Sequence, residues 1–317
     1  MKHFLNNARI LFGVAFDGGI GYNRFLKEQG GKTMFPIVKK RVLNESVTLM
    51  EIEAPLVARK AQPGQFIIFR IDEAGERVPL TIAGYDREKG TVTIIFQKVG
   101  YTTERLDTLK EGDALLDFVG PLGEPSHTEG IRRAAVIGGG LGVAIAYPQA
   151  RALHEAGAKV DLIVGFRSEQ LIILKDELEA ACSELTIMTD DGSNGRKGFV
   201  TQALEEKLRA GEQYDEVIAI GPLPMMKAVC DLTRPYGVKT IVSMNPIMID
   251  GTGMCGGCRV TVGGETKFAC VDGPDFDGHL VDFDEAIARS RMFRPEEARA
   301  REHAHKCRLT GEVRTHG

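Results

Sequence analysis

Three cysteines crowd into sixteen positions near the C-terminal end of the 317-residue chain: Cys255, Cys258 and Cys270. Cys255-x2-Cys258 puts two thiolates on one tight loop, as a metal centre requires. The stretch between Cys258 and Cys270 reads as two short strands, Arg259–Val262 and Thr266–Ala269, around Gly263-Gly264, a dipeptide suited to a hairpin turn. An out-and-back hairpin returns Cys270 beside Cys258, so three thiolates converge without any long-range assumption. Asp250, five residues before Cys255, is the nearest charged candidate for a fourth ligand. Gly251, Gly253, Gly256 and Gly257 let the backbone wrap closely and aim N–H groups at sulfur, which tunes a cluster. Zinc also accepts three cysteines and a carboxylate, so the spacing leaves zinc and iron–sulfur both open.

A second set of residues fits a phosphate-bearing ligand. Gly138-Gly139-Gly140-Leu141-Gly142 follows a short apolar strand and opens a helix, where backbone N–H groups and the helix dipole meet a pyrophosphate. The run is not a clean G-x-G-x-x-G, and the acidic residue that commonly closes the second strand is replaced by Gly165-Phe166-Arg167. The turn from Asp190 and Asp191 through Gly192 to Gly198, and Gly221-Pro222, fall at the C-terminal ends of further strands. In open α/β sheets ligands gather at those ends, so Gly138, Gly139, Gly140, Gly142, Asp191, Gly192, Gly221 and Pro222 form the candidate dinucleotide site. Arg167 and Arg196 are available to a 2′-phosphate, which keeps NADP(H) possible beside NAD(H). Upstream, Arg77-Val78-Pro79-Leu80-Thr81 sets a guanidinium and a hydroxyl at a strand start, and Thr102-Thr103 follow Gly100. Both groups suit a flavin pyrophosphate and ribityl chain, and equally an ordinary surface Arg and a loop.

The elements that must hold these residues change style along the chain. From Phe35 to about Gly123 the pattern is β-rich, with strands expected at 36–41, 46–53, 65–71, 79–85, 91–97 and 113–119, a small antiparallel barrel or sandwich. Strands then alternate with helices from Ala134 to Met244, which implies a parallel, doubly wound sheet. The glycine-rich cysteine module comes last. The expected division is an N-terminal extension over 1–33, a barrel over 34–128, an α/β domain over 129–245, the cluster module over 246–290 and a polar tail over 291–317. Residues 1–33 read as an extension from an upstream start codon or as a helical arm, and no signal-peptide cleavage site follows the apolar run at 10–16.

Composition sets outer bounds. Apolar residues make up 43%, charged residues 26%, and the net charge is −4, which gives no reason to expect nucleic acid or an anionic membrane as partner. No apolar run nears the roughly 20 residues of a membrane-spanning helix. Clustered cysteines in a chain of this size fit a reducing, cytoplasmic setting better than a disulfide framework.

The motif order resembles a known family. Arg-x-Pro-Leu-Thr-Ile, Gly-Gly-Gly-Leu-Gly-Val-Ala, Asp-Gly-Ser-x-Gly-x-Lys-Gly, Gly-Pro-x-Pro-Met, Cys-Gly-x-Cys and Cys-Val-Asp-Gly-Pro succeed one another as in ferredoxin reductase-like electron-transfer subunits, over about residues 34–285. These include the dihydroorotate dehydrogenase electron-transfer subunit and the small subunit of NADH-dependent reduced ferredoxin:NADP+ oxidoreductase, also described as sulfide dehydrogenase. The resemblance implies FAD on the barrel, NAD(H) on the α/β domain and a [2Fe–2S] cluster at the C-terminal end. Carried over residue by residue, it implies flavin contacts at Arg77, Pro79, Leu80, Thr81, Ile95, Thr102 and Thr103, and metal ligands at Asp250, Cys255, Cys258 and Cys270. No catalytic acid or base is implied, since the cofactors carry the chemistry. The dihydroorotate type has a cysteine where this chain has Asp250, so the pattern Asp250-x4-Cys255-x2-Cys258-x11-Cys270 resembles the ferredoxin:NADP+ oxidoreductase branch. The partner implied there is a larger subunit with FAD and [4Fe–4S] clusters. Alternatives are the dihydroorotate branch and a zinc- and nucleotide-binding regulatory module without redox function.

Overall fold

The structure, a computed structural model, describes residues 34–299. The expected N-terminal arm and most of the charged run at 295–306 lie outside that range. Strands β1 (Phe35–Val42), β2 (Val47–Glu53), β3 (Phe66–Arg70), β4 (Val78–Asp86), β5 (Thr91–Gln97), β6 (Ala114–Leu115) and β7 (Asp117–Leu122) form one antiparallel sheet in the order β6-β1-β2-β5-β4-β3-β7, curled into the expected, nearly closed barrel. Its centre is packed by fully buried Ile37, Met50, Ile67, Phe69, Ile94 and Phe96. The strand expected at 113–119 is split at Leu116, whose N–H bonds the Arg70 carbonyl at 3.0 Å and the Ile71 carbonyl at 3.1 Å. The break lets the first half pair with β1 and the second with β3.

Two helices interrupt the barrel. Helix α1 (Pro55–Lys60) starts on a proline, whose fixed φ and missing N–H suit a first helical turn. Helix α2 (Tyr101–Thr108) buries only Thr102 and Leu106, one face four residues apart.

Strands β8 (Arg133–Gly139), β9 (Lys159–Phe166), β10 (Glu184–Thr189), β11 (Glu216–Ile220) and β12 (Thr240–Ser243) are parallel. With the short strand β15 (Asp275–Asp277) they form the second layer, a six-stranded sheet in the order β10-β9-β8-β11-β12-β15. Helices α3 (Gly142–Glu155), α4 (Lys175–Ala180), α5 (Val200–Arg209) and α6 (Leu223–Thr233) connect them. Both faces are covered, so β8 and β11 are continuous buried runs. On one face the barrel residues Val47, Leu49, Ala83 and Ile95 join the core around α3. On the other, Phe66 and Ile68 of the barrel and Cys258, Val260, Cys270 and Phe276 of the C-terminal module share a single core with α5 and α6.

That module holds the hairpin β13 (Arg259–Val262) and β14 (Glu265–Phe268), the short strand β15 (Asp275–Asp277) and helix α7 (Phe283–Arg289). Strand β15 pairs antiparallel with β12, so the module expected over 246–290 contributes an edge strand to the nucleotide sheet. At this junction the Asp275 carboxylate accepts from Ser126 Oγ at 2.6 Å and from Gln149 Nε2 at 3.3 Å. Its Oδ1 and Gln149 Oε1 are buried without a partner, and burial holds the Asp275 carboxyl above the ordinary carboxylate range.

Candidate cofactor sites

The hairpin between Cys258 and Cys270 is built as its sequence requires. Gly263 and Gly264 at the hairpin tip have φ of +60° and +80°, the pair of left-handed conformations a two-residue turn demands. The Ala269 N–H bonds the Cys258 carbonyl at 3.1 Å, so Cys258 and Cys270 flank the open end of the hairpin. Both are buried, and the Cys258 thiol donates to the Cys270 sulfur at 3.3 Å, far beyond the roughly 2.05 Å of a disulfide. Burial, then the neighbouring thiol, pushes Cys270 up to about 11. Cys255 is exposed. The Gly257 N–H donates to its sulfur at 3.5 Å and holds its thiol below the ordinary range.

Asp250 is committed to the same loop. Its Oδ1 accepts from Thr252 Oγ1 at 2.6 Å, and its Oδ2 from the N–H groups of Thr252 and Met254 at 3.1 Å and of Cys255 at 3.4 Å. These bonds, the Thr252 hydroxyl foremost, hold the carboxyl below its usual range. The structure therefore brings Cys258 and Cys270 together and leaves Cys255 and Asp250 turned to the loop backbone. Among the described residues no three His, Cys, Asp or Glu side chains converge as a ready metal-binding set. The chemistry of the donors nonetheless fits a cluster: two buried thiols side by side, a third on the same glycine-rich loop, and an N–H aimed at sulfur.

At the C-terminal ends of the parallel strands lies a cleft of about 810 Å³ between sheet and barrel. Gly139, Gly140, Gly142, Gly221 and Pro222 line it as expected. Gly142 is required by close approach: a Cβ there would stand 2.8 Å from the Gly221 Cα. Gly138 lies under the cleft, where a Cβ would press on Val143. Asp191 and Gly192 are not among the lining residues; Asp191 accepts from Ser193 Oγ at 2.7 Å, and its neighbour Asp190 faces the cleft. Arg167 lines the cleft as well, whereas Arg196 pairs with Glu206 at 2.8 Å. The exposed ring of Phe199, Asn245 after β12, and Ser46 and Gln97 from the barrel are among the other wall residues. Sequence reasoning missed them. Phe199 carries a local signal, a large apolar residue beside a ligand-bearing turn, but the barrel residues reach the cleft only through the fold.

On the barrel, Arg77 stands just before β4, and Pro79, Leu80 and Thr81 follow on it, each half-buried. Ile95 is 6% exposed and packs in the core shared with the α/β domain. The Thr102 hydroxyl donates to Glu76 Oε2 at 2.7 Å, and Thr103 Oγ1 accepts from the Gly100 N–H at 3.1 Å and donates to the Gly100 carbonyl at 3.0 Å. Both hydroxyls thus shape the start of α2. The N–H groups of its first turn have no intrahelical partner, and a Cβ on Gly100 would meet nothing within 4 Å. Open space before N–H groups without intrahelical partners fits a pyrophosphate.

The chain matches two family patterns: "Oxidoreductase NAD-binding domain" over residues 136–231 and "Iron-sulfur cluster binding domain of dihydroorotate dehydrogenase B" over residues 245–282. It is 52% identical over 84% of its length to an uncharacterized protein in the adh 3′ region of Clostridium beijerinckii, covering 93% of that protein. It is 46% identical, over 84% of its length and 94% of the relative, to a homolog of the dihydroorotate dehydrogenase B (NAD(+)) electron transfer subunit from Thermotoga maritima. Among solved structures, one of NADH-dependent reduced ferredoxin-NADP oxidoreductase, studied for flavin-based electron bifurcation, superposes with a TM-score of 0.81 at 45% identity, covering 86% of this chain and 99% of that one. With a barrel, a nucleotide sheet and a cysteine hairpin in that order, and with such identity across most of each relative, the chain belongs to the ferredoxin reductase-like family of dihydroorotate dehydrogenase B-type electron-transfer subunits, oxidoreductase subunits with an NAD-binding and an iron–sulfur cluster-binding domain.

Proposed function

We propose that the chain takes reducing equivalents from NADH through FAD on the barrel to a [2Fe–2S] cluster in the cysteine loop, and serves a larger FAD- and [4Fe–4S]-containing subunit of the ferredoxin:NADP+ oxidoreductase type. The flavin, when bound, supplies the conversion between a two-electron hydride and single electrons. The chain's own residues bind and orient. The α3 N-terminus with Gly139, Gly140 and Gly142 faces the nucleotide pyrophosphate, and Gly221-Pro222 leave room for it. Arg77, the N–H groups opening α2 and the half-buried face of Pro79, Leu80 and Thr81 hold the flavin. Cys255, Cys258 and Cys270 bind the cluster, with Asp250 as fourth ligand. Its Oδ1 carries only the Thr252 hydroxyl, whereas Oδ2 already holds three backbone N–H groups, so Oδ1 is the ligand atom and Oδ2 the anchor of the loop. A reducing, cytoplasmic setting suits thiols kept free.

The observation that carries the branch assignment is Asp250, a carboxylate where a fourth cysteine would otherwise stand. The relatives' names favour a second reading, in which the chain serves an FMN-containing dihydroorotate dehydrogenase. Anaerobic purification from the native source tests both. A yellow-brown protein with FAD, two iron atoms per chain as a [2Fe–2S] centre requires, and a copurifying [4Fe–4S] flavoprotein is the expected result. A copurifying FMN dehydrogenase would move the chain to the other branch. A colourless protein with stoichiometric zinc would defeat the redox reading.

A further inference from the structure

Arg77 reaches two places at once. Its Nε donates to the Ile249 carbonyl at 2.8 Å, and Ile249 immediately precedes Asp250 at the start of the cysteine loop. Its Nη1 lies 3.8 Å from Asp117 Oδ2, a carboxylate that Arg70 already holds at 2.6 Å. The side chain is 32% exposed, so these two contacts leave part of it open to a ligand. The loop it grips is seated on the barrel: a Cβ at Gly251 would fall 2.8 Å from Ile68 Cδ1 on β3 and from Leu122 Cδ1 on β7. A guanidinium is a rigid planar fork, so fixing Nε against one carbonyl also fixes where the two Nη edges point.

We infer that Arg77 is a positioning residue shared by the flavin site and the cluster loop, holding the carbonyl next to a cluster ligand while its open Nη edge meets the flavin diphosphate. It rests on the assignment of FAD to the barrel and of the cluster to the cysteine loop. Because one rigid group serves both, flavin occupancy alters the cluster's surroundings, and by linkage the cluster changes flavin affinity by the same factor by which the flavin changes cluster affinity. The barrel and the cluster module, separate stretches of sequence, are joined at this side chain.

The test uses the full chain, purified anaerobically, stripped of FAD and then reloaded. Two quantities are read: the FAD dissociation constant by flavin fluorescence, and the EPR spectrum of the reduced cluster without and with FAD. In the wild type, adding FAD is expected to shift the EPR spectrum. Arg77→Met is expected to weaken FAD about ten- to a hundredfold, the loss of a hydrogen bond to a charged group, and to shift the cluster spectrum even without FAD. Arg77→Lys, which keeps the charge but not the fork, recovers part of the FAD affinity and keeps the altered spectrum; it also serves if the Met variant fails to fold. Thr103→Ala, which touches only the α2 start, weakens FAD and leaves the FAD-free spectrum unchanged. FAD-free spectra of both Arg77 variants identical to wild type would overturn the inference, since Arg77 would then serve the flavin alone. Unchanged FAD affinity in Arg77→Met would overturn it from the other side. A wild-type chain that holds no FAD or no cluster would overturn both the inference and the assignments beneath it.

Discussion

Gly142 offers a sharp test of the nucleotide site. It opens α3 against the C-terminal end of β11, and a Cβ there would stand 2.8 Å from the Ile220 carbonyl carbon and the Gly221 Cα, closer still to the Ile220 oxygen. Non-bonded heavy atoms rest at about 3.5–4.0 Å, so Gly142→Ala must push the start of α3 back by about 1 Å. Backbone lies on the other side of the contact, so no flexible side chain can absorb the shift. Overpacking of this kind costs about 1–3 kcal/mol of stability. The displaced turn is the one whose N–H groups would meet the pyrophosphate. A hydrogen bond to a charged group contributes about 1.5–3 kcal/mol, so misaligning one weakens nucleotide binding about ten- to a hundredfold. Gly157→Ala is the natural contrast. Gly157, just past the C-terminal end of α3 and outside the cleft, has φ of +92° and a Cβ on it would meet nothing within 4 Å, so that change adds about 1–2 kcal/mol of left-handed strain without touching the nucleotide site. NAD(H) titration and thermal unfolding of both variants separate the two effects. Wild-type nucleotide affinity in Gly142→Ala, with the expected loss of stability present, would refute the placement of the pyrophosphate at the α3 N-terminus.

Three further changes probe other parts of the reasoning. Asp250→Cys should keep a [2Fe–2S] cluster while changing its EPR signal and potential, because a soft thiolate replaces a hard carboxylate; an unchanged signal would mean Asp250 is not a ligand. Arg167→Ala should weaken NADPH about tenfold or more and NADH far less, since only the former offers a 2′-phosphate for a charged hydrogen bond, and flavin-reduction kinetics with each nucleotide would show it. Asp275, with its folded pKa raised by burial, contributes stability that is full below the unfolded carboxylate pKa and lost as pH rises through the raised folded value. Asp275→Asn keeps an acceptor for Ser126 and cannot ionise. Its melting temperature should therefore exceed that of the wild type by a margin that grows with pH; a margin that shrinks with pH would refute the upward shift of the Asp275 carboxyl.

The sequence was most legible where chemistry and backbone conformation coincide. Gly263-Gly264 dictates a two-residue turn, and the turn returns Cys270 to Cys258; the glycines at 138–142 mark a strand-to-helix turn and occupy it. Strands β5 and β13 fall at the expected residues because their apolar runs are bounded by glycine, proline or charge. Less legible were elements made by tertiary context. Helix α2 buries two side chains and shows no sustained period. Strand β15 is three residues between Pro274 and Gly278, and only the open edge of β12 makes it a strand. The cleft walls at Ser46 and Gln97 depend on how the barrel docks. Asp250 was visible as a carboxylate in the right place, but that its Oδ2 would gather three backbone N–H groups depends on loop geometry no spacing rule supplies.

Strand β15 also limits how this protein can be cut. Ending the chain after β12 would strip the sheet of its border and bare the main-chain donors and acceptors of Ile241–Ser243, a template for pairing with another molecule. The iron–sulfur segment is therefore no detachable cassette: a chimera that borrows it from a relative must keep β15 matched to the host sheet, and a truncated flavoprotein fragment will tend to aggregate at that edge rather than persist as a simpler reductase.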